Sequence, residues 1–135
     1  MDLPQEFTAE ATMNHQDTWS VSASQTDFTV AVPKEFGGPG GASSPEDLLA
    51  ASISACLCAS FRVIADHNNF SYDELSLSTT LIVDRVDGVL ATSQVVVEYA
   101  ISGSQKDSAR IMQLVEKNCI VHNSLKAPVK LVKRA

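Results

Sequence analysis

Basic charge is what this sequence is short of. Ten Lys and Arg stand against sixteen Asp and Glu, a formal net charge of −6 over 135 residues. A balance of that sign repels phosphate backbones and anionic lipid instead of recruiting counterion-releasing contacts. Neither nucleic acid nor a membrane surface is expected as a partner. The basic residues near the end, Lys126, Lys130, Lys133 and Arg134, flank Leu131 and Val132. That pattern reads as an edge strand blunted by lysine.

Leaders, spans and cysteine frameworks are lacking as well. The opening MDLPQEFTAEA has neither a basic n-region nor an apolar h-region, so no secretory signal is read from it. The longest uncharged apolar run, Leu48 to Phe61, covers fourteen residues, short of the ~20 that cross a bilayer. The expectation is a soluble, cytoplasmic protein. Three cysteines, Cys56, Cys58 and Cys119, do not make a disulfide framework and leave catalysis, metal binding or inert burial as their uses. There is no internal repeat or low-complexity segment, and the length suits a single domain over residues 1–135. The glycine stretch GGPGG lacks the GK[ST] ending of a P-loop and the G-x-G-x-x-G spacing, so it reads as a flexible approach to a helix.

What is present is a clear order of elements. FTAEATM, WSVSAS and DFTVAV alternate and are separated by polar turns, which predicts an antiparallel meander. EFGGPGGASS is too rich in Gly and Pro for regular structure. Pro45 then suits a first helical position after Ser44 as N-cap, with Glu46 and Asp47 where the helix dipole favours acids. This helix is expected to run to Asp66 or His67 and, from its charge-free middle, to be buried on nearly all sides. Its many Ala and Ser predict a close approach by another helix. LSLSTTLIVDRV, Asp87-Gly88 and VLATSQVVVEYAIS form a strong hairpin signal. Ile111, Leu114 and Val115 mark a helix over Lys106 to Lys117, Cys119 to Leu125 one more short turn, and VKLV the final strand. The chain is therefore predicted to be α+β.

The residues with chemistry are Cys56, Cys58, Cys119, Glu46 and the histidines His15, His67 and His122. Cys56 falls on a stripe with Leu49, Ile53, Leu57, Ser60 and Ile64, whereas Cys58 lies about 200° round the helix, so the two cannot form a disulfide. By pattern alone each is a small buried hydrophobe. Cys119 has His122 one turn on, and a thiol at a helix start beside an imidazole would have a lowered pKa; it would equally serve as filling under the last strand. Zinc is disfavoured because C-x-C on a helix points its sulfurs apart.

PKEFGGPGG leading into SPEDLLAASISAC, followed by CIVHNSL, resembles the OsmC/Ohr family of thiol-dependent hydroperoxide reductases. The family often has Cys-Pro-x-Ser where this chain has Cys-Ile-Val-His. The resemblance implies an OsmC-like fold, antiparallel sheets around a long buried central helix in an intertwined homodimer. It implies that Cys56 attacks the O–O bond of an organic hydroperoxide and that Cys119 condenses with the sulfenic acid formed. No bound cofactor is implied; an external dithiol, a lipoyl group in Ohr-type relatives, would reopen the disulfide. Sulfenic acids are indeed rescued by a nearby thiol.

Glu46 corresponds to the family's catalytic carboxylate. Ten helical residues rise about 15 Å, so it cannot touch the Cys56 of its own straight helix, which points to the Cys56 of a second chain. The family's arginine between the first strands is missing, since Arg62 is the first arginine in the chain. His15 stands where that arginine is expected; it would supply a charge conditional on pH, or be an exposed turn residue. The alternative to a peroxidase is a catalytically altered member of this fold that binds a small hydrophobic molecule.

Overall fold

Short alternating segments need only short turns to close on one another, and the first three do so. β1 (Ala9–Thr12), β2 (Thr18–Ala23) and β3 (Thr26–Ala31) form an antiparallel sheet in that order, with Ala11 opposite Val21 and Trp19 opposite Val30. The computed structural model describes residues 1–104 and 106–134, which divide into a unit of residues 1–48 and a unit of residues 49–135. In the first unit the Gly/Pro loop contains one 3-10 turn, Lys34–Phe36, more order than its composition suggested.

α1 (Pro45–His67) begins as expected from its first residues. The Asp47 N–H donates to Ser44 Oγ at 3.0 Å and the Ser44 N–H donates to Asp47 Oδ2 at 2.9 Å. This reciprocal box satisfies donors that a helix start otherwise leaves unpaired. The division between the units falls one turn into this helix. By length and composition alone α1 would qualify as a membrane span, with mean hydropathy 1.9 over its most apolar stretch. One stripe of it, Ile53, Leu57, Phe61 and Ala65, instead lies in the core.

That stripe corrects two expectations. Leu49, one turn before Ile53 on the same face, is 38% exposed, and burial on nearly all sides is not reached within one chain: Ala51, Ser52, Ala55, Ala59 and Val63 remain open.

In the second unit, β4 (Glu74–Val86) and β5 (Val89–Ser102) pair antiparallel through Asp87 and Gly88, whose φ angles are 50° and 83°. Two positive φ values are what a two-residue hairpin turn matching strand twist requires, and Asp-Gly tolerates them. A bulge follows Ile82, whose carbonyl accepts from Ser93 Oγ at 3.1 Å. β6 (Val129–Lys133) lies on the other edge of β5 and runs parallel to it, so this sheet is mixed, not purely antiparallel. The intervening helices return the chain in its original direction, which is how parallel neighbours are joined.

Those helices are α2 (Ser108–Asn118), capped by Asp107, and α3 (Ile120–Asn123). Ser108, Ile111, Met112 and Val115 are the buried face of α2, a spacing set by 3.6 residues per turn. Ile111, Met112 and Val115 join Val95, Val97 and Tyr99 of β5 and the α1 stripe in the core. Each such fully buried large apolar side chain contributes roughly 1.5–3 kcal/mol. Phe61 is gripped edge-on by Tyr72 at 4.7 Å and Phe70 at 6.2 Å between ring centroids.

Candidate active site

Cys119 continues the buried face of α2, four residues after Val115, and is itself fully buried. Its backbone leaves the helical region, with φ −81° and ψ 115°, so it ends α2 and serves as N-cap of α3. The local break turns its side chain toward α1, where Cys56 is half-buried beside the stripe. The two thiols lie close enough that each acts on the acidity of the other.

The surroundings treat the two sulfurs differently. Burial by itself pushes the Cys56 thiol up, but hydrogen bonds from the Cys119 thiol, the Val121 and Ile120 N–H groups and the Ser60 hydroxyl outweigh it and hold its pKa below the ordinary thiol value. Donors aimed at a sulfur favour its anion. Cys119 goes the other way, to about 11, through burial, donation of its hydrogen bond to Cys56 and repulsion by the Cys56 charge, partly offset by the His122 and Val121 N–H groups. Of this pair Cys56 is the thiolate former and Cys119 the proton holder.

This corrects the reading of Cys119 as a thiol acidified by an imidazole. The His122 group that reaches its sulfur is the backbone N–H, at 3.4 Å, while the imidazole Nε2 is 3.0 Å from Glu116 Oε1. Cys58 is also corrected: it is exposed, not buried, and lines a groove with Arg62, Tyr72 and Asp73. Partial desolvation there raises its pKa.

Glu46 and His15 belong to the first unit. Glu46 is half-buried, and its Oε2 is shielded from solvent with no hydrogen-bond partner among the described residues. His15 is exposed in the turn between β1 and β2. The ion pairs among the described residues, His122 to Glu116 and Arg134 to Glu98, include neither. Nor is any group of three His, Cys, Asp or Glu among those residues gathered as metal ligands.

The model of the OsmC-like protein family matches residues 38–132. The chain belongs to the OsmC-like family. An organic hydroperoxide resistance protein of Xanthomonas axonopodis pv. citri is 29% identical over 115 residues, spanning 82% of this chain and 79% of its own. The uncharacterized protein YmaD of Bacillus subtilis is 19% identical, over 87% of this chain and 83% of its own. Among solved structures, the organic hydroperoxide resistance protein OsmC of Legionella pneumophila superposes with a TM-score of 0.83 at 22% identity, over 99% of this chain and all of that one. At such identity the likeness is one of fold.

In this OsmC-like chain, sequence reasoning missed the groups that act on the Cys56 sulfur. Ser60 had a legible signal, since a residue at i+4 shares a helix face with Cys56. The Ile120 and Val121 N–H groups are backbone and carry no residue-type signal. Glu116 had none either, because its partner lies across a helix break.

Proposed function

We propose that this protein reduces organic hydroperoxides to alcohols with Cys56 as nucleophile and Cys119 as resolving thiol. The observation that supports it is the pair of neighbouring thiols with opposed acidity. The Cys56 thiolate attacks the terminal peroxide oxygen, the O–O bond breaks, and the alkoxide leaves and takes a proton to become the alcohol. Cys56 is oxidised to a sulfenic acid. Cys119 then brings its sulfur and its proton: an S–S bond forms, and the hydroxyl leaves as water. An external dithiol of lipoyl type reduces the disulfide by thiol exchange. A cycle of this kind requires a reducing compartment, and we place it in the cytoplasm.

Glu46 in this reading is the carboxylate that orients the peroxide, with His15 in the role of the family's arginine. α1 runs unbroken from Pro45 to His67, so Glu46 would serve the Cys56 of a second copy. The open, small-residue face of α1 supplies the surface on which a homodimer forms. A strictly monomeric species in sedimentation velocity would overturn that part. His15→Gln is expected to lower peroxidase activity; a fully active variant would remove His15 from the site.

The rival reading, a binder of small hydrophobic molecules, rests on the missing family arginine, since Arg62 is the first arginine in the chain. One experiment separates the two. Reduced protein receives one equivalent of cumene hydroperoxide, and free thiols are counted by intact mass. Loss of two thiols that requires both Cys56 and Cys119 supports the enzyme, whereas unchanged thiols support the binder.

A further inference from the structure

The junction between α2 and α3 carries side chains that touch neither reacting sulfur. Glu116 on the last turn of α2 and His122 on α3 meet across Cys119, Nε2 to Oε1 at 3.0 Å, with side-chain exposures of 28% and 20%. The other ring nitrogen, Nδ1, lies 3.3 Å from Asn123 Oδ1, and Asn123 Nδ2 donates to the Lys117 carbonyl at 3.0 Å. A polar circuit therefore runs from α2 to α3 around the cysteine. α3 has four residues, and a single helical turn does not hold itself together in water. Its first residue, Ile120, is 78% exposed, so packing at that position supplies little. Yet the lowered pKa of Cys56 depends on the Ile120 and Val121 N–H groups of this segment.

We propose that Glu116 and His122 form a positioning brace that locks the α2–α3 junction, so that Cys119 and the Ile120 and Val121 N–H groups stay on Cys56. His122 is thus a positioning residue: its ring is turned to Glu116 and only its backbone N–H reaches a sulfur. The inference rests on the thiol-pair reading of the site, but the brace is measurable without any peroxide.

The test uses Glu116→Ala, His122→Ala, their double variant and Glu116→Asp, all in a Cys58→Ser background. Cys56 alkylation by iodoacetamide is followed by peptide mass across about pH 6 to 10, the range in which thiols titrate, with circular dichroism as the check on folding. Each alanine variant is expected to raise the midpoint, slowing alkylation at a fixed lower pH by about tenfold, the effect of one pKa unit. The double variant is expected to be no slower than the worse single one. Glu116→Asp keeps the charge but falls short of the ring, so it is expected to behave as the alanine variant does, and it serves if that one does not fold. Wild-type midpoints in the folded variants, or strictly additive effects in the double, would overturn the brace. If midpoints shift while the wild-type protein ignores cumene hydroperoxide, the brace stands and the peroxidase reading falls; unshifted midpoints beside normal peroxide reduction give the reverse.

Discussion

The two units of this chain bury their side chains to very different extents. Among the described residues of the first unit, only Val30 and Ala31 are buried apolar side chains, and Phe7 is 94% exposed. The second unit holds the whole cluster from Ile53 to Cys119 and the neighbouring thiols with it. Holding two sulfurs within reach requires rotamers locked by dense packing on several sides. The second unit supplies that packing, whereas His15 sits in an exposed turn and Glu46 in the first turn of α1, both within the lightly buried first unit.

The largest effect expected from breaking this contrast is chemical. Cys56→Ser is expected to abolish peroxide-dependent thiol loss, and Cys119→Ser to stop the reaction at a sulfenic acid, seen as one added oxygen by intact mass. Next comes packing. Phe61→Ala in the second unit is expected to cost about 3–5 kcal/mol in urea unfolding, whereas Phe7→Ala in the first is expected to change stability by less than about 0.5 kcal/mol. Equal effects would erase the distinction.

A smaller effect is the pH dependence of stability. Cys119 binds its proton more tightly in the folded chain, to about 11, so it favours folding fully below the ordinary thiol pKa. That contribution is lost as pH rises through the folded value. Cys56 has the opposite sign: its lowered pKa favours folding above the ordinary thiol value, and this is lost as pH falls through the folded one. Cys119→Ser is therefore expected to lessen the loss of stability above about pH 8.5, measured as urea midpoints against pH. Ser44→Ala, which removes one cap hydrogen bond, is expected to cost about 1 kcal/mol in the same assay.

Much of the fold was legible. The α1 start followed from Ser44, Pro45 and Asp47, and the hairpin from Asp87-Gly88, because caps and tight turns depend on a few adjacent residues. The parallel setting of β6 was not legible, since VKLV reads alike in either direction. At the site, the nomination of Cys56 and Cys119 came from resemblance, and nothing local said that they touch. Cys58 was misread because a cysteine among alanines looks buried whichever way it faces. His122 was misread because spacing places a residue but not its ring.

The sequence by itself determined the elements, their order, and the placing of a thiol on each of two helical segments, because periodicity and capping act over a turn or two of chain. Only the tertiary structure decided which face of α1 is covered, which sulfur is the more acidic and what the His122 ring holds. Those outcomes depend on groups that distant segments bring to one point: the acidity of Cys56 is set by donors some sixty positions further along the chain.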